Sequence, residues 1–172
     1  MQTETFRIER FNTPTGRMLV VSDDQDQLRA IDWEDHEDRA QRLLRRHYRG
    51  ALGLREVTRK SSARRALEAY FAGELGALEH LKTATNGTDF QREVWSALRR
   101  IPVGRTLSYG ALASKIGRPA AVRAVGLANA SNPIAIVVPC HRVIGANASL
   151  TGYAGGLARK HWLLAHEGER AL

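Results

Sequence analysis

The apolar run Ile134-Ala135-Ile136-Val137-Val138 is bracketed by Pro133 and Pro139, and this constrains the fold more than any other stretch. Proline fixes its own φ, removes an amide donor and pushes the preceding residue out of the helical region. The run is too short for a helix and far too short for a membrane span. It reads as a strand or a buried extended segment. It leads straight into Pro139-Cys140-His141-Arg142-Val143-Ile144, which holds the only cysteine of the chain. A cysteine on the rim of a buried strand, beside a histidine, is a candidate nucleophile, because a nearby base generates the thiolate that attacks. The competing reading is an inert core thiol, since free cysteines are commonly buried.

The rest of the chain supplies a setting. With 172 residues it makes one domain or two small ones. In the first half, Phe6 to Arg10, Arg17 to Val21 and Leu28 to Trp33 read as strands, with Thr13-Pro14-Thr15-Gly16 and Asp23-Asp24-Gln25-Asp26 as turns. These predict a small antiparallel sheet. Another short strand is expected near Leu54 to Thr58. Helices are expected over Glu37 to Tyr48 and Ala63 to Ala72, the second capped by Ser62 and ended by Gly73, both covering one face of the sheet. A polar stretch, Lys82 to Gly87, marks the hinge, giving domains 1–85 and 86–172.

In the second half Thr88 caps a helix running to about Arg100, with Phe90, Val94, Trp95 and Leu98 as its buried stripe. Ser108 caps a short helix that begins at Tyr109. After the turn Gly117-Arg118-Pro119, a third helix spans about Ala120 to Ala130. Two short helices joined this way read as a helix-turn-helix. The third helix is thin at Ala121, Ala124 and Gly126, with Val122, Val125 and Leu127 as larger anchors, and it carries Arg123. Small side chains allow close approach to a bulky partner or close packing within the domain. A last helix is expected over Leu157 to His166, with Leu157, His161 and Leu164 on one side and Glu167 just after it. The expected class is therefore α+β: an N-terminal antiparallel sheet with covering helices, and a mainly helical C-terminal domain.

Charge points to a partner. The net charge is +8. Residues 1–85 hold 15 Lys/Arg against 14 Asp/Glu, and residues 86–172 hold 11 against 4. A polyanion would meet the second half. A single cysteine allows no internal disulfide and no cysteine-based zinc site, and His36, His47 and His80 lack ligand spacing. No metal, cofactor or membrane span is expected. The first residues lack a secretory pattern, so a cytoplasmic location is expected.

For the thiol to react, His141 must reach it directly, across a turn or through a water. A carboxylate must orient the imidazole, and Glu167 is the best placed. A Cys140-His141-Glu167 set also fits a thiol hydrolase, and the helix-turn-helix alone also fits a protein that binds DNA without chemistry.

Taken together, these residues resemble the O6-alkylguanine-DNA alkyltransferases (methylated-DNA–protein-cysteine methyltransferases), especially the bacterial Ogt type. The run from Asn132 to Ile144 carries the resemblance. Phe90-Gln91, Val94-Trp95, Ser108-Tyr109-Gly110, Arg123-Ala124-Val125-Gly126, Gly152-Tyr153-Ala154-Gly155-Gly156, Lys160 and Leu163 to Gly168 support it. The resemblance implies DNA repair by stoichiometric, irreversible transfer of the alkyl group of O6-alkylguanine, and less readily O4-alkylthymine, to Cys140. It implies His141 as a base acting through water, Glu167 as its orienting carboxylate, and Asn132 as organiser of the surrounding turns. Arg123 is implied to fill the gap left by the extruded base, and Tyr109 to crowd the 3′ phosphate. Val138, Pro139, Tyr153 and Gly155 are implied to line the guanine pocket. The partner is double-stranded DNA met through the minor groove by the helix holding Ala121, Ala124 and Gly126, with no obligate protein partner. Two departures stand out: Ala120 and Ala148 occupy positions where such proteins commonly have glycine.

Overall fold

A computed structural model describes residues 4–48, 52–145, 152–168 and 170–171. The Asn147-Ala148 departure lies outside the described residues. The chain divides into two units, Met1–Asn86 with Pro133–Val137, and Gly87–Asn132 with Val138–Leu172.

The first unit is built on strands β1 (Glu4–Thr13), β2 (Gly16–Ser22), β3 (Leu28–Trp33) and β4 (Leu52–Glu56), in the order β3-β2-β1-β4. The first three strands pair antiparallel, closing at Thr13↔Gly16. Gly16 takes φ +119 at that turn, a conformation open to glycine. The Asp23 carboxylate holds the next turn by accepting from the Gln25 and Gln27 amides, each at 2.9 Å. Strand β4 lies parallel to β1, so the sheet is mixed rather than wholly antiparallel. A parallel partner needs a crossover connection, and helix α1 (Glu37–His47) supplies it.

Two helices lie on opposite faces of this sheet, not on one. Side chains alternate along β1. Phe6 and Ile8 join Leu19, Val21 and Ala30 under Ala40 and Leu44 of α1. Glu9 and Phe11 face α2 (Ser62–Phe71) instead: Glu9 accepts from the Ser61 amide at 2.8 Å, and Arg64 lies over the Phe11 ring at 5.0 Å. Covering both faces explains why Met18 to Val21 is continuously apolar and buried. The cap of α2 is Ser61, one residue earlier than expected, its hydroxyl accepting from the Arg64 amide. Gly73 ends the helix with φ +113. The run 134–138 forms no regular strand. Ile31 donates to Pro133 at 3.0 Å and accepts from Ala135 at 3.1 Å, and Ile136 then turns the chain with φ +70.

In the second unit α3 (Asp89–Arg99) starts on a full capping box between Thr88 and Gln91. Strand β5 (Arg105–Ser108) leads into α4 (Tyr109–Lys115), where the Ser108 hydroxyl caps the Ala111 amide. Gly117, φ +75, makes the turn to α5 (Val122–Ala130), and α4 and α5 form the helix-turn-helix. Ala121 occupies the cap position, so the helix begins later than expected. Strands β6 (Val143–Ile144) and β7 (Arg170–Ala171) flank β5, both parallel to it. Such short strands leave no periodicity in a sequence. Helix α6 (Leu157–Glu167) closes the unit and ends on Gly168 at φ 65.

Candidate active site

Cys140 is the first residue of a 3₁₀ turn, Cys140–Arg142, and not part of a strand. Successive residues of such a turn are about 120° apart rather than on opposite faces. That is why a cysteine and the histidine next to it can serve one site. The turn is fixed from both sides. The Val138 carbonyl accepts from the Cys140 amide and from Asn132 Nδ2, both at 2.8 Å. The Arg142 amide returns to Pro139 O at 3.0 Å. Asn129 of α5 reaches the Cys140 carbonyl at 3.5 Å. The Val138 carbonyl is thereby tied into the turn that carries Cys140. The thiol is 7% exposed.

Behind it lies a buried ionic network. His141 Nε2 is 2.9 Å from Glu167 Oε2. Arg142 donates to both oxygens of the same carboxylate, at 2.8 and 3.0 Å, and to the Ile101 carbonyl at 2.8 Å. Glu167 sits at the C-terminal end of α6, where the helix dipole disfavours an anion. Burial would also raise its pKa. The bonds from His141 and Arg142 outweigh both effects and hold the carboxyl well below the usual range. Burial pushes the His141 pKa down, only partly opposed by Glu167. The imidazole is therefore neutral. An ionised Glu167 can only accept, so Nε2 carries the hydrogen, leaving the lone pair on Nδ1. Nδ1 is buried and has no hydrogen-bond partner among the described residues. This is the arrangement of a waiting base.

Lys160 supports the resemblance in the sequence but carries no assigned role there. It is fully buried and donates to the Val143 carbonyl at 2.6 Å. Burial lowers its pKa, and the charge of Cys140 opposes that shift. By reciprocity, its ammonium favours the thiolate. The signal was present: Lys160, Leu163, Leu164 and Glu167 recur at helical spacing and form the buried face of α6. Of Leu157, His161 and Leu164, expected on one side of the helix, only Leu164 is buried.

The remaining expected residues lie on α4, on α5 and in the segments just before the 3₁₀ turn and α6. Tyr109 opens α4, half-buried, with its ring about 4 Å from where a Cβ on Gly126 would stand. Arg123 and Ala124 are exposed on α5. Val122 and Leu127, expected as anchors, are 40% and 68% exposed; Val125 alone is buried among the three. Tyr153 is half-buried and Gly155 buried, its carbonyl accepting from Arg159 at 3.3 Å. Pro139 is buried. Among the described residues no group of three or more His, Cys, Asp or Glu side chains converges to hold a metal, and no helix is long and apolar enough to cross a membrane.

Comparison with known proteins places this geometry. Residues 7–85 match the ribonuclease-like domain of 6-O-methylguanine DNA methyltransferase, and residues 89–169 match its DNA binding domain. The methylated-DNA–protein-cysteine methyltransferase of Salmonella typhimurium is 56% identical over 93% of this chain and 94% of its own. That of Shigella flexneri is 53% identical over the same shares. Among solved structures, Mycobacterium tuberculosis OGT in complex with DNA superposes with a TM-score of 0.76 at 40% identity, covering 94% of this chain and 92% of that one. The O6-methylguanine-DNA methyltransferase of Pyrococcus kodakaraensis gives a TM-score of 0.70 at 25% identity, covering 95% and 99%. The chain belongs to the 6-O-methylguanine DNA methyltransferase family, whose reaction is direct, single-turnover alkyl transfer from O6-alkylguanine to a cysteine of the protein.

Proposed function

We propose that Cys140 is the acceptor and that the buried network behind it drives the transfer. The carrying observation is the buried His141–Glu167 contact at 2.9 Å, with His141 Nδ1 left without a hydrogen-bond partner among the described residues. His141 takes the thiol proton through a water. The Cys140 thiolate, favoured by Lys160, attacks the alkyl carbon. A sulfur–carbon bond forms as the carbon–O6 bond breaks, and its electron pair leaves on the guanine. A proton delivered by Tyr109 neutralises the purine. The thioether has no ready leaving group, so each molecule reacts once.

A base within a duplex cannot present its alkyl group to a buried thiol, so it must be flipped out. In our reading α5 enters the minor groove of double-stranded DNA, where the small Ala121, Ala124 and Gly126 allow close approach. Exposed Val122 and Leu127 add apolar contact, and minor-groove proteins commonly use such wedges. Arg123 replaces the lost stacking, and Tyr153 and Gly155 close over the base. O4-alkylthymine is a slower substrate of the same pocket. The reaction needs no obligate protein partner and takes place in the cytoplasm, where a lone thiol stays reduced.

The test is to incubate the protein with duplex DNA carrying labelled O6-methylguanine and read peptide masses. One methyl per molecule is expected on the Cys140 peptide; its absence there overturns the assignment. Cys140→Ser is expected to abolish transfer while retaining affinity for the duplex.

A further inference from the structure

The first unit carries a cavity of about 470 Å³, and its lining is strongly basic: Arg7, Arg55, Arg59, Lys60 and Arg65. Its floor is the face of the β1–β4 pair turned toward α2, and its wall is the segment leading into that helix. We propose that this cavity is a phosphoryl-anion site, built to hold consecutive phosphates of a DNA backbone or of a free polyphosphate. The proposal does not depend on alkyl transfer to Cys140.

Three observations carry it. First, Arg7 and Arg55 are direct partners in the β1–β4 register. Like charges opposite one another on neighbouring strands destabilise a sheet, and the Asp26 carboxylate on Arg7 offsets only one of the two. Second, the acids in the lining are already committed. Glu9 is buried and accepts from the Ser61 amide and hydroxyl, and Asp26 pairs with Arg7. Lys60 pairs with Glu68, but Arg55, Arg59 and Arg65 form no ion pair among the described residues. Third, Arg7 Nε is buried without a hydrogen-bond partner among the described residues, leaving one donor of the floor unused. The amino-terminal turn of α2 adds its partial positive charge to the same wall. Guanidinium groups suit phosphate because their fork of donors binds two oxygens at once.

The experiment uses the full chain and the double variant Arg55→Gln/Arg59→Gln, in which both altered side chains are exposed. Tripolyphosphate is titrated calorimetrically, and an undamaged duplex is titrated by fluorescence anisotropy at several salt concentrations. A free-anion source gives tripolyphosphate binding in the wild type that weakens at least tenfold in the variant. A DNA source gives no tripolyphosphate binding, but a duplex affinity lowered several-fold, with the salt-dependence slope reduced by about one per lost phosphate contact. Thermal midpoints without anion should stay level or rise in the variant, since the Arg7–Arg55 repulsion is removed. Unchanged affinity for both probes overturns the proposal. Methyl transfer to Cys140, read by mass in the same samples, reports separately on the alkyl-transfer reading.

Discussion

Replacing Glu167 tests the centre of the site most directly. The carboxylate accepts from His141 once and from Arg142 twice among the described residues, with its side chain 1% exposed. Glu167→Ala leaves the Arg142 guanidinium buried without its counter-charge. Breaking a buried pair from one side costs about 3–5 kcal/mol. Total stability of a domain is about 5–15 kcal/mol, so the variant should fold but melt early. At about 2–4 °C per kcal/mol for a chain of this size, the midpoint should drop by roughly 6–20 °C. Glu167→Gln keeps one carbonyl acceptor and loses the charge, so its cost should approach that of one charged hydrogen bond, about 1.5–3 kcal/mol. The same change leaves His141 free to rotate and to adopt the other tautomer. Losing a positioned base costs about 10²–10⁴ in rate. The assay is a rapid-quench measurement of single-turnover methyl transfer from labelled duplex, beside thermal melts of both variants. Glu167→Gln transferring at the wild-type rate refutes the orienting role. Glu167→Ala melting within 2 °C of the wild type refutes the energetic one.

Acid should weaken the fold in two steps. The folded His141 pKa is lowered, so below the unfolded value of about 6.5 the unfolded chain binds a proton that the folded chain declines, and stability falls. The folded Glu167 pKa is also lowered, so its contribution is full above the unfolded value of about 4.3 and is lost as pH falls toward the folded one. Denaturant melts from pH 8 to 4 should show the first step, and His141→Gln should remove it; a wild type equally stable at pH 7.5 and 5.5 contradicts the reasoning. Lys160→Met should move the pH midpoint of iodoacetamide alkylation of Cys140 upward, and an unmoved midpoint disconnects Lys160 from the thiol. Arg123→Ala should slow repair of a duplex several-fold more than repair of a single strand; equal losses on both remove its stacking role.

What was legible in the sequence follows from how local each signal is. The caps at Thr88 and Ser108 and the turn glycines Gly73 and Gly117 depend on a few neighbouring residues, and they hold in the structure. The His141–Glu167 contact agrees with the sequence expectation because only one carboxylate was well placed. Three features failed for want of local information. The face assignment of α2 depends on a contact between Glu9 and Ser61, residues far apart in the chain. The parallel placement of β4 depends on which sheet edge α1 delivers it to. The exposure of Val122 and Leu127 inverts the ordinary rule that large apolar side chains lie inside. Lys160 failed for the opposite reason: a charge on a buried stripe breaks the apolar pattern that is used to find the stripe.

The bracketed apolar run shows how these levels compete. Ile136 at φ +70 is a β-branched residue in the left-handed region, a conformation that costs about 1–3 kcal/mol. A strand over the whole run would avoid that cost. The run nevertheless buries Ile134, Ala135, Ile136, Val137 and Val138, each 7% exposed or less. Each fully buried aliphatic side chain larger than alanine contributes about 1.5–3 kcal/mol, so burial exceeds the strain several-fold. Val137 belongs to the first unit and Val138 to the second. There Asn132 and the Cys140 amide share the Val138 carbonyl. A straight strand would carry its alternation onward and set Cys140 and His141 on opposite faces. The 3₁₀ turn, anchored upstream by aliphatic burial, removes that obstacle. The placement of the thiol is therefore set by the backbone of this turn, held through the Val138 carbonyl, as well as by the ionic network behind it.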